Sequence, residues 1–194
     1  MVKGIDRPIA NTYWVEPGRL LAGEYPGAPD PARTLPRLDA FLAAGVQHFI
    51  DLTEVGELAP YAGQLIDRAC AQGYSVSHVR YPLADRSAPA EHVVLGRILN
   101  DIKVAIAGGR LVYVHCCGGA GRTGMVIGCW LAQQFRSGWR ALASLDRMWL
   151  SMDKARFLPR TPETDEQIRT VLAWPEAARI GSAAEPVIAK PAGL

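Results

Sequence analysis

The chain has 194 residues, a length that suits one domain with a full hydrophobic core. Its formal net charge of +2 at pH 7 gives no sign of a nucleic-acid or membrane-surface partner. No segment approaches the uninterrupted apolar length of a membrane span, and the N-terminus lacks the hydrophobic run of a signal peptide, so we expect a soluble cytoplasmic protein.

Strands and helices alternate in the first half of the chain. Two short strands, Tyr13 to Val15 and Arg19 to Ala22, are predicted around a Glu-Pro-Gly turn. Apolar residues at helical spacing predict a helix from Pro31 to Ala44, which Gly45 ends. The next predicted elements are the strand His48 to Thr53, the helix Pro60 to Gln72, the strand Ser75 to Leu83 and the helix Pro89 to Ala107.

The second half begins with a β-rich run, Arg110 to His115, and a glycine-rich loop. The predicted helices are Met125 to Phe135, about Arg140 to Met152, and about Pro162 to Trp174 with Thr161 as its cap. The alternation predicts an α/β fold with a central, mostly parallel sheet flanked by helices. We predict a catalytic domain over residues 1–174 and a flexible or loosely packed Ala/Pro-rich tail over 175–194.

The loop between that strand and helix, HCCGGAGRTG from His115 to Gly124, carries the chemistry. Its small residues allow a tight turn whose N–H groups form an anion nest, and the following helix adds its positive N-terminus. A cysteine there, Cys116, is expected to have a lowered pKa and to be a thiolate. Arg122 offers a planar fork for two phosphate oxygens. A thiolate beneath a bound phosphate implies phosphoryl transfer to sulfur.

This loop resembles the signature of the cysteine-dependent protein tyrosine and dual-specificity phosphatases, His-Cys-(five residues)-Arg-(Ser or Thr)-Gly. The chain matches it at His115, Cys116, Arg122, Thr123 and Gly124. The resemblance implies a protein tyrosine phosphatase-like fold and a metal-independent enzyme without a cofactor. It also implies a phosphate-binding loop made of Cys117, Gly118, Gly119, Ala120, Gly121 and Arg122.

The mechanism also needs a proton donor for the leaving oxygen. Asp85 follows a predicted strand and opens the turn-rich segment Asp-Arg-Ser-Ala-Pro, about where these phosphatases keep their general acid. A turn-capping role for Asp85 is the alternative. Asp51 and Glu54 are competing carboxylates, in a segment that is more often structural in such enzymes.

Three further residues have supporting roles in the resemblance. His115 would lie beneath the loop and tune the thiolate, or simply pack there. The Thr123 hydroxyl could donate to the sulfur and help it leave, or satisfy amides at the helix start. Gln167 would orient the attacking water, or lie on an exposed helix face, which is the simpler interpretation.

These residues predict an enzyme that removes phosphate from phosphotyrosine in proteins, with phosphoserine and phosphothreonine as an extension, through a phosphocysteine intermediate. The variable loop positions Cys117, Gly118 and Ala120 are uncharged, which favours a phosphoprotein over a polyphosphorylated substrate. A phosphoinositide or inositol phosphate phosphatase is the first alternative. A catalytically inactive phosphoprotein-binding module and a rhodanese-like sulfur-transfer loop are the others, and a structural glycine turn with a buried cysteine is the plainest.

The other cysteines suggest neither a disulfide framework nor a metal site. Cys70 and Cys129 are predicted to be core residues. Cys117 could be a small filler or could form a disulfide with an oxidised Cys116, although a vicinal disulfide strains the backbone.

Overall fold

A computed structural model describes residues 6–183, in which a five-stranded sheet has the order β1-β2-β5-β3-β4. The strands are β1 Thr12–Glu16, β2 Leu20–Gly23, β3 Val46–Asp51, β4 Ser77–Arg80 and β5 Leu111–His115. β1 pairs antiparallel with β2, whereas the other three neighbouring pairs are parallel. The predicted mostly parallel sheet is therefore confirmed, and β5 lies at its centre.

Residues 6–183 also form six helices, which pack around the sheet, α6 against α4 and α5: α1 Pro31–Ala43, α2 Ala62–Ala71, α3 His92–Ala107, α4 Arg122–Phe135, α5 Gly138–Trp149 and α6 Asp165–Ala183. A short 3-10 helix, Asp153–Arg156, precedes α6. Local signals explain two of the starts. The Asp30 carboxylate caps α1 by accepting from the Ala32 N–H at 2.9 Å, and the Ser137 hydroxyl caps α5 by accepting from the Arg140 N–H.

Successive side chains of a strand point to opposite faces of the sheet, and they form a hydrophobic core on each face. On one face, Leu21, Phe49 and Tyr113 pack beneath residues of α1 and α2. On the other, Val112 and Val114 belong to a larger core with residues of α3, α4, α5 and α6. With both faces covered, β5 is buried along its whole length, and the loop after it emerges at the C-terminal edge of the sheet.

The last helix differs from its predicted bounds. Thr161 does not cap it, because α6 begins at Asp165 and the Thr164 hydroxyl accepts the Gln167 N–H at 3.3 Å. The helix also continues through Pro175 to Ala183 instead of ending near Trp174. The predicted tail therefore starts inside a helix, and its residues from 184 onward lie outside the described part. A separate, loosely packed tail stays a prediction.

One cysteine prediction is also wrong. Cys129 is buried as expected, but Cys70 is exposed. Helix α2 buries Leu65 and Ala69, which are four residues apart on one face. Cys70 is the next residue, about 100° further around the helix, and so it faces outward.

Within residues 6–183, no helix is long and apolar enough to cross a membrane. The cytoplasmic location stays a prediction.

Candidate active site

The HCCGGAGRTG segment forms the loop between β5 and α4 that its composition predicts. Cys116 is buried at its floor, and its sulfur accepts the Gly119 N–H at 3.3 Å. Gly119 has φ +84° in this turn. A Cβ there would lie 2.6 Å from the carbonyl carbon of Gly23, at the end of β2. Only glycine satisfies both requirements, so the neighbouring strand fixes the shape of the loop.

Arg122, the first residue of α4, is almost fully buried and connects three segments at the edge of the sheet. Its two terminal nitrogens donate to the two carboxylate oxygens of Glu57, each at 2.6 Å. Nη1 also donates to the Leu83 carbonyl at 3.1 Å, and Nη2 lies 3.0 Å from an Asp85 oxygen. Such a bidentate pair fixes the plane of a guanidinium, so Arg122 has a defined orientation beside the sulfur.

Two buried polar atoms of the loop region have no hydrogen-bond partner among the described residues. They are Nε of Arg122 and the hydroxyl oxygen of Thr123. Buried polar atoms in folded proteins usually have partners, so each of these two has hydrogen-bonding capacity that the described residues do not use. The Thr123 hydroxyl makes no bond with the Cys116 sulfur here, and its role in releasing that sulfur stays a prediction.

Asp85 lies on the segment after β4 and contacts Arg122 at the edge of the sheet. The side chain is 62% exposed on the segment after β4, yet one oxygen reaches Arg122. The competing carboxylates are placed differently. Asp51 is fully buried and accepts from Thr53 and Arg80, and Glu54 is exposed. Of the carboxylates considered from sequence, Asp85 alone combines solvent access with contact to Arg122.

His115 is fully buried under the loop, as one of its predicted roles requires. Nε2 lies 2.6 Å from the Tyr61 hydroxyl, and Nδ1 lies 3.4 Å from the Cys116 carbonyl oxygen. Burial lowers the pKa of His115 to about 4, although the Asp51 carboxylate 3.9 Å away opposes the shift. The imidazole is therefore neutral near pH 7 and contacts the backbone of Cys116.

Gln167 is fully buried, so the exposed helix face is wrong for this residue. Its side-chain oxygen accepts the N–H groups of Glu163 and Thr164, each at 3.2 Å. Its side-chain nitrogen donates to the Ser87 carbonyl at 3.1 Å, within the segment that carries Asp85. All of these contacts are with protein groups, and the role of Gln167 in orienting water stays a prediction.

Sequence reasoning missed Glu57. It lies in the segment after β3, close in sequence to the candidate carboxylates Asp51 and Glu54. Two hydrogen bonds from Arg122 hold the pKa of the Glu57 carboxyl below its ordinary value. A signal was available. Glu57 follows a glycine in the connection after a parallel strand, at the same sheet edge as the signature loop. The chain turns at Gly56, which has φ +82°, immediately before Glu57.

A cleft of about 250 Å³ opens beside the loop at Cys117, which is exposed. Its walls include the Tyr25, Pro29 and Leu58 side chains, with Arg33 and Arg37 among the remaining lining residues. Arg37 is paired with Glu24 at 2.8 Å, which reduces its charge toward the cleft. The space next to the loop is thus mainly apolar, and its charged lining residues are Arg33 and the paired Arg37 and Glu24.

Similarity to known proteins agrees with this geometry. A relative from Invertebrate iridescent virus 3, named provisionally as tyrosine phosphatase 067L, is 31% identical over 98 residues. That match covers 46% of this chain and 35% of the viral protein, so the chain spans about a third of that relative's length.

Two solved structures share the fold. Tk-PTP in its active form has a TM-score of 0.64 at 26% identity, with 86% of this chain and 97% of that one covered. PTPMT1 in complex with PI(5)P also has a TM-score of 0.64, at 15% identity, with 88% and 98% covered.

A family model described as the Swiss Army Knife protein, DSP-PTPase phosphatase domain, matches residues 9–169. That range contains the core beneath α1 and α2, most of the larger core, the signature loop and the segments that hold Arg122. The chain therefore belongs to this family of phosphatase domains within the cysteine-dependent protein tyrosine phosphatase superfamily.

Proposed function

We propose that this phosphatase hydrolyses phosphomonoesters of proteins, with phosphotyrosine as its preferred substrate. The reaction passes through a phosphocysteine intermediate and needs no metal. The observation that carries the proposal is the grouping of Cys116, Arg122 and Asp85 at one edge of the sheet. The Cys116 sulfur accepts the Gly119 N–H, and the Arg122 guanidinium lies 3.0 Å from an Asp85 oxygen. These three residues would supply a nucleophile, a cation for phosphate oxygens and a proton donor at the same edge of the sheet.

In the first step the Cys116 thiolate attacks phosphorus, so that a P–S bond forms as the P–O bond to the leaving group breaks. The Arg122 Nε–H, which no described residue accepts, is available to an equatorial phosphate oxygen. Asp85 gives its proton to the leaving oxygen. In the second step Asp85, now a carboxylate, takes a proton from the water that attacks phosphorus, and the thiolate is released.

The loop and the cleft favour a phosphorylated side chain over a polyphosphorylated ligand. The loop places no lysine near phosphate, and the adjacent cleft offers apolar walls at Tyr25, Pro29 and Leu58 for a residue next to the phosphorylated one. A phosphoinositide remains the second candidate, because Arg33 and Arg37 line the same cleft and could bind a further phosphate.

The test compares wild type, Cys116→Ser and Asp85→Asn on a phosphotyrosine peptide, phosphoserine and phosphothreonine peptides, and an inositol phosphate, with and without EDTA. Turnover should survive EDTA, be highest on phosphotyrosine and disappear in Cys116→Ser. Asp85→Asn should slow it by about 10²- to 10⁴-fold, most for poor leaving groups. Cys70→Ser, an exposed cysteine on α2, is the matched control and should leave turnover unchanged.

Activity that requires a metal, or that persists in Cys116→Ser, would refute the mechanism. Tight phosphopeptide binding without turnover would instead identify a binding module, and higher turnover of the inositol phosphate would select the second candidate.

A further inference from the structure

The segment that carries Asp85, residues 84–89, makes few polar contacts with the other described segments. Beyond Leu83, the hydrogen bonds and ion pairs that residues 84–89 make with other described segments go to Arg122, Gln167 and Glu163. The contacts within the segment are short-range, from the Ser87 N–H and hydroxyl to the Ala84 carbonyl. The position of Asp85 therefore depends on what holds this segment from outside.

Two of these outside contacts come from the start of α6. The buried Gln167 side chain donates to the Ser87 carbonyl at 3.1 Å, and the Glu163 carboxylate pairs with Arg86. Arg86 has φ +57°, a left-handed conformation that non-glycine residues keep only where their surroundings impose it. The segment is therefore held in a specific conformation.

The start of α6 is in turn attached to the signature loop. The Thr161 hydroxyl donates to the Ala120 carbonyl at 2.8 Å, and Thr161 is buried. A Cβ at Gly121 would lie 3.2 Å from a Glu163 oxygen and 3.3 Å from both polar atoms of the Gln167 amide. One segment, residues 161–167, thus contacts the loop of the nucleophile on one side and the loop of Asp85 on the other.

Helix capping explains the hydrogen bonds that the Gln167 side-chain oxygen accepts. Thr164 and Gln167 form a capping box, in which each side chain accepts the backbone N–H of the other residue. Glutamate serves in this motif as well as glutamine does. The donation from Nε2 to Ser87 lies outside the motif and requires an amide.

We propose that Gln167 is a positioning residue that fixes the Asp85 loop relative to Cys116 through its hydrogen bond to the Ser87 carbonyl. This inference rests on the proposed function, in which Asp85 is the general acid. It gives Gln167 a role in the first chemical step, in which the leaving oxygen must meet the Asp85 proton. A water-orienting residue would act in the second step.

The principal variant is Gln167→Glu, measured at pH 8. Its carboxylate keeps the capping box and is favoured at a helix N-terminus, but it places an acceptor opposite the Ser87 carbonyl. We expect kcat for phenyl phosphate, a poor leaving group, to fall by about 10- to 100-fold, because misplacing a catalytic group by about 1 Å costs that order of rate. The loss for p-nitrophenyl phosphate should be several-fold smaller. The thermal midpoint should fall, because Gln167 is fully buried and the introduced carboxylate faces a carbonyl oxygen.

Gln167→Met is the second variant, and it removes the capping contacts as well. Thr164→Ala is its matched control, since it weakens the same helix start and does not alter the amide that reaches Ser87. Gln167→Met should show the leaving-group effect together with a lower midpoint, whereas Thr164→Ala should lower the midpoint alone.

The decisive measurement is a double-mutant cycle with Asp85→Asn. If Gln167 acts through Asp85, Gln167→Glu should have little further effect in the Asp85→Asn enzyme. Equal losses on both esters, or an undiminished loss in the Asp85→Asn enzyme, would overturn the inference. A burst of phenol followed by slow turnover in Gln167→Glu would overturn it too, since that result places Gln167 in hydrolysis of the intermediate. If Asp85→Asn alone had no effect on phenyl phosphate, the proposed general acid would have failed instead.

Discussion

At the residue scale, Glu57 determines the orientation of the Arg122 guanidinium. Both of its oxygens bind the terminal guanidinium nitrogens, and the shared plane leaves Nε as the donor without a partner among the described residues. An arginine without that carboxylate could rotate about its long side chain and would have to be ordered by the substrate.

Glu57→Gln should therefore weaken phosphate binding. We expect kcat/KM for a phosphotyrosine peptide to fall by about tenfold or more, because a neutral amide retains at most one of the two charge-assisted bonds. Steady-state kinetics measure the loss. Glu54→Gln, an exposed carboxylate three residues earlier, is the matched control. Equal kinetics for the two variants would show that Glu57 has no part in orienting Arg122.

The residues that sequence reasoning could find were those in a fixed local pattern. Cys116 and Arg122 stand at a set spacing around small residues, and Asp85 opens a turn after a strand, so each could be identified before any fold was known. Glu57 and the true contacts of Gln167 could not, because both depend on segments far apart in the chain. Gln167 and Ser87 are 80 positions apart, and no local periodicity encodes such a meeting.

At the element scale, the signature loop owes its shape to β2 as much as to its own glycines. Gly119 lies against the end of that strand, and the Tyr25 N–H donates to the Cys117 carbonyl at 3.0 Å. The strand and helix on either side of the loop were predicted within a few residues. The 3-10 helix and the late start of α6 were not, since both follow from packing and capping rather than from apolar spacing.

Gly119→Ala should disrupt the loop. A methyl group would meet backbone atoms, which cannot swing aside, and would also strain a left-handed turn, so we expect a destabilisation of about 2–4 kcal/mol. Turnover should fall at least tenfold as the sulfur loses its N–H donor. Urea unfolding and kinetics measure the two effects.

Gly118→Ala is the control for that variant, because a Cβ at Gly118 meets nothing within 4 Å. Its stability and turnover should stay near those of wild type. If Gly119→Ala behaved like Gly118→Ala, contact with Gly23 would not be what shapes the loop.

At the scale of the whole molecule, the sheet keeps a titratable group in its interior. His115 is fully buried on the face of the sheet that α1 and α2 cover, beside Tyr61 and Tyr113, with a folded-state pKa of about 4, against 6.5 in an unfolded chain. Between those values the unfolded chain binds more protons than the folded one, so stability rises with pH across this window. The contribution is fully present above pH 6.5 and is lost as the pH falls through 4.

The free energy of unfolding should therefore drop as the pH falls from 7 toward 4.5, by about 2 kcal/mol. Urea denaturation at intervals across this range measures it. His115→Gln should be less stable at pH 7 but should have a flatter profile. His92→Gln, an exposed histidine at the start of α3, should keep the wild-type slope. An unchanged slope in His115→Gln would assign the acid sensitivity to other groups.

The supports of the signature loop come from both ends of the described chain, which has a consequence for biosynthesis. Gly23 and Tyr25 are synthesised before the loop, whereas Thr161 and Gln167 are synthesised after it. A nascent chain that has released only α4 already holds the cysteine and arginine of the loop, yet lacks the segment whose Gln167 side chain contacts the Asp85 loop. Under the proposed function, a chain that stops before residue 167 would therefore lack the contact that positions Asp85, and it would also lack Val171 and Trp174 of the larger core.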